Sequence, residues 1–514
     1  MDDVLITGAG PTGAVLALWL TAQGIKVRII DKKDGPGDTS RAMVVQARTL
    51  ELYRQLDLTE TIMAAGHRMV AINMWTRGKH AARLALQDAG EGISPYPSPL
   101  MYPQDHHERV LGQRLESMGV TIERQTELVS LEQGADSVTA RIRRADGSEE
   151  TTTARYIAGC DGARSTVREQ LGIGFEGGTY RSVFYVADVK LEGLKNPDEG
   201  SVSLENNDFV LMLPYDSNGR ARLIGTVSDE RAETAEKLTF DDVRQDAIGR
   251  VGVKVEEVTW FSSYRVHHRV AETFRRDRVF LLGDAGHVHS PAGGQGMNTG
   301  ILDAINLAWK LAAVLRGDAP DPLLDTYVKE RQGFAHQLVQ TTDRGFSLMT
   351  SGGSLANFLR VNVMPYAAHV AFEMAAARRA MFKLISQTEL AYHDSALSDG
   401  EAGKVKGGDR LPWVRMGDQD NYGPLERIGW QVHVYGEPRP ELMAWCLHRG
   451  VALRDFGWEP EFEKAGLAEN AAYLLRPDTW VALAEPEGSV EALERYFESH
   501  GLKSGGAKAG EAMR

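Results

Sequence analysis

Residues Arg278–Leu311 read RVFLLGDAGHVHSPAGGQGMNTGILDAINLAWKL, and the reading of this stretch decides the fold. Val279-Phe280-Leu281-Leu282 is a short apolar run of the kind that forms a buried strand, and it ends at Gly283-Asp284. Further on, Ile301, Ile305, Ala308, Leu311 and Ala312 recur at helical spacing. Pro291 to Asn298, between strand and helix, carries little side-chain bulk, and Gly293, Gly294 and Gly296 let backbone N–H groups approach a flat polar ligand. The helix start that follows offers unpaired donors and a partial positive charge, which suits a ring system that becomes anionic. A ligand-free glycine-rich connection has the same local signature, so the start of the chain has to decide.

There, Val4-Leu5-Ile6-Thr7 reads as a strand and is followed by Gly8-Ala9-Gly10-Pro11-Thr12-Gly13, an apolar helix to Ala22, and a second strand ending at Asp31. GxGxxG alone is a weak signal. Set between strand and helix, with an acid at the end of the next strand, it predicts a dinucleotide site. The first glycine permits the tight turn, the second lets a pyrophosphate touch the backbone, and the third lets helix and strand pack. An acid at Asp31 favours an unphosphorylated adenosine ribose, hence FAD or NAD rather than NADP. A second strand, ending at Asp161-Gly162 with a helix start near Ser165, pairs with the strand end at Gly283-Asp284. Both are expected at the carboxyl edge of one parallel sheet, where open α/β folds bind ligands. Arg41 opens a segment read as helical to Leu58, and position leaves a surface role and a pyrophosphate contact even. Gln104 precedes another helix.

The 514 residues predict two or three domains, and 42% hydrophobic with 25% charged residues is an ordinary globular composition. A formal charge of −13 argues against nucleic acid or an anionic membrane as partner. No apolar run approaches the roughly 18 residues a span needs. Cys160 and Cys446 are the only cysteines and stand in no metal or CxxC spacing, which excludes a disulfide framework and suggests a cytoplasmic location. Residues 178–275 alternate in strand fashion and predict a mostly antiparallel sheet inserted into the nucleotide domain. Helices are expected to about Tyr392, and a small α/β domain after a break near Ser398–Gly408. The pairs His106-His107 and His267-His268 lack a metal constellation and read as surface residues. His287 and His289 flank the loop and read as packing or capping groups.

With these motifs in hand, the sequence resembles the FAD-dependent aromatic hydroxylases, the single-component class A flavoprotein monooxygenases. It is most similar to the longer members with a C-terminal thioredoxin-like domain, among them polyketide and phenol-type hydroxylases and rifampicin monooxygenases. The resemblance rests on Gly8–Gly13, Cys160–Ser165, Gly283–His287 and Pro291–Asn298, and for the last domain on domain order and Gly408-Asp409-Arg410-Leu411-Pro412. It implies an α/β (α+β) fold. Residues 1–177 and 276–345 would form a Rossmann-like FAD domain, 178–275 the substrate sheet and 346–395 a helical connection. Residues 396–503 would form the thioredoxin-like unit, lacking a redox pair and serving packing or oligomerisation, and 504–514 a disordered tail.

The resemblance also implies site roles. Gly8, Gly10, Pro11, Thr12 and Gly13 would hold the FAD pyrophosphate, Asp31 the adenosine ribose with Lys32 beside it, and Arg41 and Gln104 the dinucleotide flanks. Asp161 and Gly162 would serve FAD and the nicotinamide. Gly283 and Asp284 would reach the ribityl region, and Gly296, Met297 and Asn298 the flavin ring. Pro291, Gly294 and Gln295 would stand at the reacting centre as catalytic and cofactor-binding residues. NAD(P)H would act as transient reductant, and O2, carried as a hydroperoxide at flavin C4a, would hydroxylate a small aromatic substrate. Baeyer–Villiger oxygenation is the alternative on the same fold, and a non-catalytic flavoprotein that sequesters an aromatic compound is the alternative from another class. A monomer and a homodimer fit the sequence equally.

Overall fold

Three sheets organise the chain in the computed structural model, which describes residues 1–37, 42–204, 209–227, 238–243, 248–290, 292–340 and 363–503. The chain opens with β1 (Asp2–Thr7), α1 (Pro11–Ala22) and β2 (Val27–Ile30), followed by α2 (Ala47–Tyr53), the hairpin β3 (Ala71–Thr76) and β4 (Lys79–Ala85), α3 (Gln104–Ser117) and the short β5 (Ile122–Glu123). A meander of β6 (Glu127–Gln133), β7 (Val138–Arg143) and β8 (Glu149–Gly159) leads to β9 (Phe175–Glu192), β10 (Glu199–Leu204), β11 (Phe209–Pro214), β12 (Arg220–Val227) and β13 (Lys254–Ala271). Then come β14 (Val279–Leu281), α4 (Gly296–Arg316), α5 (Met364–Glu373) and α6 (Ala375–Ser386). The C-terminal unit holds β15 (Asp399–Ala402), β16 (Gln431–Tyr435), α7 (Pro440–Arg449), β17 (Ala452–Phe456), β18 (Ala472–Leu475), β19 (Val481–Glu485) and α8 (Val490–Ser499).

Five parallel strands lie in the order β5-β2-β1-β8-β14. The strand order reverses between β1 and β8, and the crevice at their carboxyl ends is where doubly wound sheets hold ligands. α1 and α4 are buried along nearly their whole length. Their apolar residues run round the helix instead of along one stripe, as expected of interior helices. They fix the turns at the sheet edge by packing on each other and on the strands.

The second sheet runs from His287–Val288 through β13, β9, β12, β11, β10 and β3 to β4, antiparallel except where β10 meets β3. Its boundaries correct the sequence reading. The sheet starts at Phe175 and takes β3 and β4 from the first part of the chain. β3 answers to a possible strand read over Val70–Thr76, whereas β4 went unread because its burial follows no clean alternation. The helix expected over 41–58 shrinks as well. Val44-Val45 pairs with Leu100-Met101, and α2 spans only Ala47–Tyr53. Two β-branched residues in the pairing segment favour extended backbone.

In the third sheet β17, β16, β18, β19 and β15 lie side by side, with β16 parallel to β17 and antiparallel to β18. β17 was missed from sequence, since Arg454 and Asp455 break its apolar run. This unit shares one core with the first. Trp309 of α4 meets Trp430 edge-on at 5.7 Å, and Trp430 meets Phe497 of α8 at 5.5 Å. The tail expected to be disordered lies outside the described residues.

Candidate active site

The turns after β1, β8 and β14 interlock at the crevice. A Cβ on Gly8, whose φ is +95°, would lie 2.3 Å from the Cys160 carbonyl oxygen, and one on Gly13 would lie 2.0 Å from that of Gly8. A side chain at either position would push apart two turns that must touch. Gly283 and Gly300 close on Thr12 in the same way, at 2.8 and 2.3 Å from its Oγ1. Gly10 differs: nothing stands within 4 Å of a Cβ there. It is the N-cap of α1, with Pro11 at the first helical position, so this cap opens onto free space beside a helix N-terminus.

Around that opening, Asp31 accepts hydrogen bonds from the backbone of Ala9 (2.6 Å) and Lys33 (2.8 Å). Each of its oxygens keeps a second lone pair for a ribose hydroxyl. Lys32 is exposed beside it. Gln104 accepts from Ala42 N and donates to Glu108, whose other oxygen accepts from Gly37 N. The two side chains thus hold both ends of the segment that carries Arg41, itself outside the described residues. Asp161 accepts from Val167 N with one oxygen, while its buried Oδ1 has no partner. Burial pushes its carboxyl above the usual carboxylate range. Gly162 is open on the same side, and Asp284 is exposed at the turn after β14.

Pro291 lies outside the described residues. Gly294 has φ +63°, and its Cβ would lie 3.0 Å from Val44 Cγ2, so a glycine is required there by packing as well as by conformation. The side chain of Gln295 is committed to a partner outside the loop. Its amide donates to the carbonyls of Leu384 (2.7 Å) and Ile385 (3.3 Å) at the end of α6, which makes it a strut under the loop. The side chain of Asn298 is also fully engaged. Its Oδ1 accepts from Gln46 N and Thr49 Oγ1, and its Nδ2 donates to the carbonyls of Val44 and Gly294. What Gly296, Met297 and Asn298 offer a ligand is therefore their first-turn amides, which have no acceptor within the helix.

Sequence reasoning missed Asp303. This fully buried carboxylate accepts from Gly283 N (3.0 Å), His287 Nε2 (2.8 Å) and Arg331 Nε (2.6 Å). An acid among Ile301, Leu302, Ile305 and Ala308 was the available signal, since a lone charge on an apolar helix face is rarely left without a partner. His287 is thus held in the interior by Asp303. His289 donates from Nδ1 to Ser290 O, and burial pushes its pKa down to about 4. His107 corrects another reading: it is buried, bonded to Tyr53 OH at 2.9 Å, and its pKa is pushed down to about 3. Both cysteine thiols are raised by burial, Cys446 up to about 12. No metal-binding cluster occurs among the described residues.

Opposite the loop, the second sheet presents an apolar face whose location the sequence did not give. Leu211 pairs with Ile224 and Leu213 with Arg222, and Ile72, Met43, Met69 and Met101 complete the cluster. Val44, Leu211, Tyr215, Ile224 and Phe372 are only partly buried. Val44, which touches Gly294, places this face beside the loop. Arg222 forms a two-pronged pair with Asp188 and donates to Ala42 O, tying the face to the segment after Arg41.

These residues fit a dinucleotide bearing a flat ring. An open cap at Gly10, an orphaned acceptor at Asp161 and the free amides of α4 line one crevice. The comparisons agree. Residues 1–342 match the family described as FAD binding domain. The chain is 38% identical over 418 residues to 6-methylpretetramide 4-monooxygenase of Streptomyces rimosus, covering 78% of this chain and 72% of that one. It is 33% identical over 505 residues to pentachlorophenol 4-monooxygenase of Sphingobium chlorophenolicum, covering 96% and 87%. A ternary complex of aklavinone-11 hydroxylase with FAD and aklavinone superimposes with a TM-score of 0.79 at 26% identity, covering 98% and 99%.

Proposed function

The chain belongs to the FAD binding domain family and is an FAD-dependent aromatic monooxygenase, and from that premise we propose that it hydroxylates a phenolic, polycyclic substrate laid on the face around Met43, Leu211, Leu213 and Ile224. The observation that carries this reading is the contact of Val44 with Gly294, which sets a broad apolar face against the loop at the cofactor's reacting end. Thioether, aliphatic and aromatic side chains suit fused rings, and relatives named for 6-methylpretetramide and pentachlorophenol support an aromatic substrate. Bound FAD supplies electron transfer from NADH or NADPH and the activation of O2.

The protein's own contribution is placement. The first-turn amides of α4 stabilise negative charge on the ring, Asn298 keeps them aligned with the Val44–Gln46 segment, and the apolar face excludes water. Tyr215, its phenol pushed up to about 12 by burial, remains protonated at neutral pH and serves as hydrogen-bond donor, not as base. We read the C-terminal unit as thioredoxin-like. Its support is the strand order β17-β16-β18-β19 with one parallel pair, and its sole cysteine, Cys446, is a buried structural thiol.

The test is anaerobic reduction of the FAD-loaded protein by NADH or NADPH with a panel of phenols and fused-ring polyketides, followed by air. Substrate-accelerated bleaching and a product with one new phenolic hydroxyl are expected. A lactone or ester product, or tight binding of the aromatic compound without bleaching, sinks the proposal.

A further inference from the structure

Between the crevice and the C-terminal unit runs a buried set of six charges, three of each sign: Arg331, Lys310 and Arg476 against Asp303, Glu330 and Asp478. Its hinge is a π-helical turn, Val328–Gln332, a form that recurs at functional positions. Two neighbours on this turn, Glu330 and Arg331, are both buried and face different partners. Glu330 accepts from Arg476 through both oxygens (2.7 and 3.0 Å), and from Lys310, Asn306 and Ser395. Arg331 donates to Asp303 (2.6 Å), to Tyr392 OH and to the Thr299 carbonyl in the second turn of α4. Asp303 in turn holds Gly283 N and His287. From the C-terminal unit, Asp478 accepts from Arg476 and from Trp309 of α4.

We propose that the C-terminal unit sets the geometry of the cofactor crevice through this relay, with Asp303 and Arg331 as positioning residues and Arg476 as their anchor. Asp303 grips the Gly283-Asp284 turn from α4, the helix whose first amides would face the ring. Its orientation depends on Arg331. Arg331 stays on Asp303 because its neighbour Glu330 is neutralised by Arg476 and Lys310. Without Arg476, Lys310 is left to serve both Glu330 and Asp478, the buried set is one positive charge short, and Arg331, next to Glu330 on the same π-helical turn, is drawn from Asp303. The turn carrying Asp284 then loses its brace, and the crevice loosens although no residue touching the cofactor has changed.

The relay concerns cofactor binding, so its failure leaves the proposed reaction untouched. The experiment compares FAD affinity, read by fluorescence, with the melting temperature in full-length R476M, R476K, D303N and R449M. Arg449 forms an ion pair with Glu494 inside the C-terminal unit and has no part in the relay. R476M and D303N are expected to weaken FAD by about tenfold well below their melting temperatures, with R476K closer to the parent than R476M. R449M is expected to lower the melting temperature while holding FAD affinity within about twofold. Affinity within about twofold of the parent in R476M, or equal loosening in R449M, overturns the relay. Should R476M fail to accumulate, R476K carries the comparison: weakening of at least about threefold supports the relay, and less overturns it.

Discussion

The carboxyl edge of the parallel sheet and the antiparallel face opposite it meet the same crevice but are made differently. On the proposed reading the edge would recognise through backbone: the cap at Gly10, the turn at Gly162 and the first amides of α4. The face would recognise through side chains gathered from residues 43, 72, 101, 211, 213, 224 and 372. Backbone recognition demands glycines at fixed spacing, because two turns must touch without a Cβ between them. Side-chain recognition demands only apolar residues on the right strands, and many sequences meet that demand.

The largest test of the contrast lies within one motif. Gly13→Ala forces a Cβ to 2.0 Å from the Gly8 carbonyl oxygen, and we expect loss of more than about 4 kcal/mol of stability, with no soluble yellow protein. Gly10→Ala meets nothing within 4 Å. It should fold with a normal circular dichroism spectrum and bind FAD more weakly, because the added methyl stands where the ligand approaches. If both variants behaved alike, the assignment of packing to one glycine and ligand approach to the other would be wrong.

Next in size is Asn298→Ala. It strands Gln46 N and the carbonyls of Val44 and Gly294, at about 1–3 kcal/mol for each buried group left unpaired. A fall of about 3 kcal/mol in urea-derived stability is expected, and a loss below about 1 kcal/mol would mean that water replaces the side chain. The pair of residues it joins marks the limit of what the sequence could reveal. Asn298 was legible as part of a motif, but Gln46 and Thr49, its acceptor's partners, lie some 250 positions away and in no motif of their own. The parallel sheet, both of its ligand-bearing strand ends and the helix after the loop were readable because their signals are local. The start of α2, the strand β4 and the side-chain partner of Gln295 were not, since each is set by a distant partner. Nothing in the loop's own sequence shows that the Gln295 side chain braces the end of α6.

The edge should also be the acid-sensitive side. Burial holds His289 neutral, with its pKa pushed down to about 4. Above pH 6.5 neither folded nor unfolded chain protonates it and it has no effect. Between 6.5 and 4 the unfolded chain takes up a proton that the folded chain refuses, so stability falls as the pH drops, by up to about 3 kcal/mol, and levels off below 4. His289→Phe should flatten the decline in urea midpoint between pH 6.5 and 4.5 relative to the parent. Parallel curves for the two proteins would show that His289 is solvated in solution.

The smallest effect belongs to the face. Phe372 of α5 is partly buried against the apolar cluster and should stack on a fused-ring substrate, an aromatic contact of about 0.5–1.5 kcal/mol. Phe372→Ala is therefore expected to raise KM by roughly twofold to tenfold, with FAD affinity and the melting temperature nearly unchanged. A single-ring phenol, with less surface to stack, should feel the substitution less than a polycyclic one. That size dependence separates a wall of the substrate site from a general packing residue. Loss of FAD together with KM would instead make Phe372 part of the edge, and the division between a backbone-built and a side-chain-built half of the crevice would have to be redrawn through α5.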